Sequence, residues 1–171
     1  MPGTGCYNES CSNGRRWSGE DGVATVAIGG YVSDLDRGDV MGPVEYVMSR
    51  FVVREYCHAN ELHQPCFQER DGQFAPPTLV HLDKLRLYRH ACPAGKGPWA
   101  RLHIEYDATY HAPIRVGERL RVKGTVVDRY VKRGREYVIT DIDLRRASDD
   151  ELLIAYRDTV ILAYSANATK S

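Results

Sequence analysis

The hydrophobic period of the chain switches from helical to extended near residue 100. Beyond that point Leu102, Ile104, Tyr106, Ala108 and Tyr110 alternate with His103, Glu105, Asp107, Thr109 and His111. Period two puts the first set on one face of a half-buried strand. Pro113 and Gly117 mark a turn, and the alternation resumes at Leu120, Val122, Gly124 and Val126. Lys132-Arg133-Gly134-Arg135 reads as a hairpin turn, with glycine where a positive φ carries little strain. Val138, Thr140, Ile142 and Leu144 form the return strand, Ser148-Asp149-Asp150 turns once more, and Leu152 to Tyr164 makes a last strand.

Upstream the spacing is helical. Gly42-Pro43 punctuates the chain, Val44 to Met48 reads as a short strand, and Ser49 is a good N-cap. Val52, Val53, Tyr56 and Ala59 then share one face of a helix that ends near His58 to Asn60, before a loop over residues 61–75. A second, longer helix is predicted from Ala75-Pro76-Pro77-Thr78, because proline suits the first helical position. Leu79, Leu82, Leu85, Leu87 and Tyr88 give it a wide apolar stripe, and Cys92-Pro93 and Gly95 end it. Residues 1–22 read as a disordered arm, while Val23 to Val32 is apolar and suits an extra edge strand or an arm packed on a partner. The expected boundaries are a flexible arm over 1–35, one domain over 36–165 and a tail over 166–171. A curved antiparallel sheet wrapped around one long helix is an α+β layout.

Composition narrows the function. The 171 residues are 43% hydrophobic and 27% charged with zero net charge. That is one soluble domain without the electrostatic footprint of a nucleic-acid or anionic-membrane binder. No apolar run is long enough for a membrane helix and none reads as a signal peptide, so a cytoplasmic protein is expected. Five cysteines (Cys6, Cys11, Cys57, Cys66 and Cys92) is an odd number that fits no zinc template, so reduced thiols and no metal are expected, with Cys57 and Cys66 buried. The first 75 residues carry a net charge of −5 and the remainder +5. The basic half either draws an anionic ligand or loses its asymmetry when the halves interleave in one fold.

Five segments, in this order, carry a family resemblance: Gly42-Pro43-Val44-Glu45-Tyr46; Val53 to His63; Ala75-Pro76-Pro77-Thr78; His111-Ala112-Pro113-Ile114-Arg115-Val116-Gly117-Glu118; and Lys132 to Tyr137. From about Asp36 to Ala163 the chain resembles the MaoC-like acyl-thioester dehydratases and hydratases of the hot-dog superfamily. The resemblance implies a single hot-dog domain and a hydro-lyase reaction. Water adds to a trans-2-enoyl thioester, or leaves a 3-hydroxyacyl thioester of (R) type. Coenzyme A or acyl carrier protein is part of the substrate, and no separate cofactor is needed. A homodimer or dimer of dimers is expected, because a hot-dog protomer exposes a sheet edge.

Carried over position by position, His63 matches the family's catalytic histidine and Asn60 its asparagine. The aspartate position falls on His58, which cannot supply a fixed negative charge but can accept a proton when neutral. The glycine whose amide polarises the thioester carbonyl is replaced by Pro77, which has no N–H, so Thr78 or Leu79 is expected to donate instead. His81 on the central helix, and Arg133 and Arg135 on the hairpin, are further candidates for substrate contact, the arginines toward a cofactor phosphate. Two other readings stay open. One is a hot-dog thioesterase, for which Asp83 is the only acid inside the central helix. The other is a non-catalytic subunit whose hot-dog partner brings the aspartate–histidine pair.

Overall fold

The structure, a computed structural model, describes residues 27–68, 74–94 and 100–164. Most of the expected N-terminal arm and the whole tail over 166–171 lie outside the described residues, as do Cys6 and Cys11. The chain runs through β1 (Val40–Val47), α1 (Arg50–Ala59), α2 (Pro65–Gln68), a 3-10 turn (Pro77–Val80), α3 (His81–Ala91), β2 (Ala100–Tyr110), β3 (Arg119–Lys132), β4 (Arg135–Arg146) and β5 (Leu152–Tyr164). Each strand pairs antiparallel with its neighbours in the order β1-β3-β4-β5-β2. The three sequential hairpin partners β3, β4 and β5 form the expected meander. β2 does not join them in sequence order; it pairs with β5, so β1 and β2 are the two edges of the sheet.

Helix α3 lies against β1 and β3. Gly124 on β3 makes this contact close. A Cβ there would stand 2.9 Å from Leu87 Cδ1 and 3.2 Å from Met41 Cε. Leu87, Leu120, Val122, Val126, Ile142 and Leu144 are fully buried around that point. The face that α3 buries keeps most of the expected stripe, since Leu79, Leu87 and Tyr88 are buried and Leu82 packs against the core. Its buried residues are Asp83, Leu87, Tyr88 and Ala91, continuing the buried Val80 of the turn, whereas Leu85 is 41% exposed. The helix proper begins at His81, after a tighter 3-10 turn has shifted the phase set at Pro77. The chain before β1 also joins the core: Val32 and Leu35 are buried, and the Ile28 N–H donates to the Ala91 carbonyl at 2.9 Å. These residues fall inside the span the sequence assigns to the flexible arm.

Charges enter the core with α3, and each finds a partner. Asp83, fully buried, accepts from Arg86 Nη1 at 2.5 Å, and the Arg86 guanidinium lies 3.9 Å over the Tyr46 ring. Asp158 on β5, also fully buried, accepts from Lys84 Nζ at 3.0 Å and lies 2.7 Å from His103 Nδ1 on β2. His103 remains exposed while its Nδ1 meets Asp158, and β2 shifts register between His103 and Glu105. The same irregularity breaks the expected apolar face, leaving Leu102 and Ile104 41% and 46% exposed while Tyr106 turns inward.

Two predictions follow from this packing. Gly124→Ala forces Leu87 and Met41 apart, so equilibrium denaturation should show a loss of about 1–3 kcal/mol. A loss of only a few tenths contradicts the close approach. Asp83 has its carboxyl raised from 3.8 to about 6, because burial outweighs the opposing pull of the Tyr46 hydroxyl and Arg86. Between those values the folded state holds a proton that the unfolded state has released, so this group's stabilising contribution is lost as pH rises through about 6. Asp83→Asn keeps the neutral shape. Relative to the parent, it should gain thermal stability on going from about pH 4.5 to about pH 8. A difference in melting temperature that does not change with pH contradicts this.

Candidate functional site

Helix α1 starts at a capped end, where Ser49 Oγ accepts the Val52 N–H at 3.2 Å. Its other end closes as a Schellman turn. Glu61 takes a left-handed φ of 53°, its N–H bonds the His58 carbonyl at 3.4 Å, and the Leu62 N–H bonds the Cys57 carbonyl at 2.9 Å. This reversal folds the following residues back along the helix. The next turn is short: the Gln64 carbonyl accepts from the Phe67 and Gln68 N–H groups, and Pro65 opens α2 inside what the sequence reads as loop.

The result is a cavity of about 980 Å³ between α1 and α2, and both His58 and His63 line it. Arg50, Phe51, Arg54 and Glu55 of the same helix line it as well. The two histidines thus line one cavity. Among the described residues neither is hydrogen-bonded to a carboxylate. His63 Nδ1 has Gln68 Nε2 at 3.5 Å, and the same Nε2 donates to the Leu62 carbonyl. Glu55, the carboxylate on the wall, pairs with Arg54 at 3.1 Å. Asn60 does not turn inward; its Nδ2 donates to the Tyr56 carbonyl at 2.8 Å and caps α1.

The other candidates lie apart from this cavity. Thr78 Oγ1 accepts from the Tyr56 hydroxyl at 3.0 Å, linking α1 to the turn before α3. Leu79 is fully buried and its N–H is taken by the Pro76 carbonyl at 3.0 Å, so it offers no carbonyl-binding donor. His81 packs its ring 4.4 Å from Tyr106 and 5.8 Å from His103, and burial and nearby Lys84 lower its pKa. Arg133 and Arg135 flank Gly134 at the β3–β4 hairpin and line neither this cavity nor the one beside it. Asp83 is sealed in the core with Arg86, so the thioesterase reading loses its carboxylate. Of the described cysteines, Cys57 and Cys92 are buried, but Cys66 is exposed, contrary to expectation, because α2 lies on the surface.

A second cavity of about 410 Å³ adjoins, lined by Phe74, Ala75, Pro77, Ala112, Ile114 and Ile154 among others. Phe67 belongs to the walls of both. The oriented carboxylate–imidazole pair among the described residues is elsewhere, at His103 and Asp158, on a strand edge that sequence spacing did not single out. Its one sequence signal is a lone acid inside the apolar run Leu152 to Tyr164.

Residues 36–149 match the family model described as FAS1-like, dehydratase domain region. No curated protein matches the chain. Among solved structures, the HadBC (3R-hydroxyacyl-ACP dehydratase) complex of Mycobacterium tuberculosis aligns at 19% identity and a TM-score of 0.61, over 73% of this chain and 96% of that one. The R-hydratase PhaJ1 of Pseudomonas aeruginosa aligns at 10% identity and 0.59, over 78% and 85%. The ChsH1-ChsH2 complex of Mycobacterium tuberculosis aligns at 14% identity and 0.57, over 74% and 97%. The five-stranded antiparallel sheet on its helix is the hot-dog fold that these structures share. With two thirds of its length matched, the chain belongs to the FAS1-like dehydratase region of the MaoC-like hot-dog family.

Proposed function

We propose that this chain is the acyl-thioester-binding subunit of a hot-dog hydro-lyase and takes its acid–base pair from a partner hot-dog subunit. One observation carries the reading: His58 and His63 line one cavity with no carboxylate bonded to either among the described residues, while Asn60 caps its own helix. Hydration of a 2-enoyl thioester requires a group that takes a proton from water and one that delivers a proton to the α-carbon. An imidazole with neither a fixed tautomer nor an oriented water does this poorly.

The reaction served is addition of water to, or its removal from, an acyl thioester of (R) type, carried on coenzyme A or acyl carrier protein with no resident cofactor. The family supports a dehydratase setting. Two of the similar structures are complexes with paired names, HadBC and ChsH1-ChsH2, which supports a two-subunit assembly. The partner's place is the outer edge of β2, where Leu102, Ile104 and Tyr110 stand 41–47% exposed beside backbone that no described strand pairs. A second copy of the chain would fit the same edge as a homodimer. Among the described residues no helix is long and apolar enough to cross a membrane.

A self-contained enzyme is the second reading, favoured by the 2.7 Å approach of His103 Nδ1 to Asp158 Oδ1, at a ring nitrogen that also has Lys84 Nζ at 2.8 Å. One assay separates the two. The purified chain alone, given crotonyl-coenzyme A, should bind it yet show neither enone loss nor thiol release. Enone loss that disappears in His63→Ala or in His103→Ala overturns the partner reading and identifies which histidine acts. Thiol release overturns both.

A further inference from the structure

Three elements of the fold meet on one ring nitrogen. Nδ1 of His103 on β2 lies 2.7 Å from Asp158 Oδ1 of β5 and 2.8 Å from Lys84 Nζ of α3, and Nζ lies 3.0 Å from the same Oδ1. An imidazole nitrogen accepts a hydrogen bond or donates one, never both at once. Without a proton, Nδ1 accepts from the Lys84 ammonium. With one, it donates to the carboxylate and confronts that ammonium as a second cation.

We propose that His103 is a proton-driven switch in the contact between α3 and β2. Neutral, the ring accepts from Lys84 and ties β2 to α3. Protonated, it donates to Asp158, ties β2 to β5 alone and sheds Lys84. Imidazole is the side chain whose charge changes between about pH 5 and 8. The His103 ring is exposed, so solvent protons reach it, whereas Asp158 is fully buried. Asp158 Oδ2 is buried with no hydrogen-bond partner among the described residues, so it can take the displaced ammonium once His103 holds Oδ1. The polar groups facing His103 are His81 and Lys84 from α3, Asp158 from β5 and Tyr106 on its own strand. Arg101, two residues away on β2, lies 4.3 Å over the Tyr88 ring instead. Burial, and then Lys84, lower the pKa of His81, which keeps that ring uncharged against Tyr106 at 4.4 Å. Asp83, on the face of α3 turned to Tyr46, titrates with the opposite sense: acid strengthens its contribution.

Nitrogen NMR of the full chain with labelled histidine tests this, because it reads the proton on each ring nitrogen. Nδ1 of His103 should be bare at about pH 7.5 and protonated at about pH 5.5. Lys84→Met removes the ammonium and keeps the stem, so the tautomer should reverse, with Nδ1 protonated and Nε2 bare at about pH 7.5. Amide hydrogen exchange reads the consequence. Over Asp83 to Arg86, protection corrected for intrinsic rates should fall at least about tenfold between those two pH values, the scale of one charge-assisted bond. His103→Asn keeps an uncharged acceptor for Lys84 at every pH, so its α3 protection should hold or rise on acidification. If Lys84→Met does not fold, the exchange comparison decides. An Nδ1 proton at both pH values in the unaltered chain, a tautomer that Lys84→Met leaves unchanged, or an equal loss of protection in His103→Asn overturns the switch.

Discussion

A helix that carries Asp83, Lys84 and Arg86 into the concavity of a sheet sets the terms for the rest of this molecule. A buried charge left without a partner is costly, so each one here is paired through one oxygen. Asp83 meets Arg86, itself stacked on Tyr46 of β1, and Lys84 meets Asp158 of β5 beside His103 of β2. Helix α3 is thereby tied to both outer strands of the sheet, β1 and β2, while Leu87 packs against Gly124 in between. Apolar burial supplies the general drive for this layer, and the ionic pairs specify which strand faces which turn of the helix.

That arrangement explains what sequence patterning reaches and what it misses. The Ser49 cap, the Gly134 hairpin and the alternation of β3 and β4 are local, and each is where the residues place it. Most of the buried face of α3 was legible, since Leu79, Leu87 and Tyr88 are buried and Leu82 packs against the core; the exposure of Leu85 and the burial of Asp83 were not. The approach of His103 to Asp158 was not legible either, since it joins β2 to β5, a pairing between distant segments. The same non-local pairing sends β2 to the sheet edge beside β5. At the candidate site, the meeting of His58 with His63 follows from a helix end that the sequence marks. The capping role of Asn60 and the sealing of Asp83 follow from contacts it does not mark.

The site keeps the family's scaffold, and its two histidines line one cavity with Asn60 turned back to cap α1. Phe67 stands between this cavity and the smaller apolar one. On the proposed reading, the acid–base step belongs to a partner subunit that covers the β2 edge.

A crystal structure of the chain with butyryl-coenzyme A, a saturated thioester that cannot be hydrated, tests this account most directly. On the partner-subunit reading the thioester binds while no imidazole of this chain bonds to the reacting carbons directly or through one water. Density that places the thioester α-carbon within hydrogen-bond or one-water reach of His63 or His103 contradicts that reading.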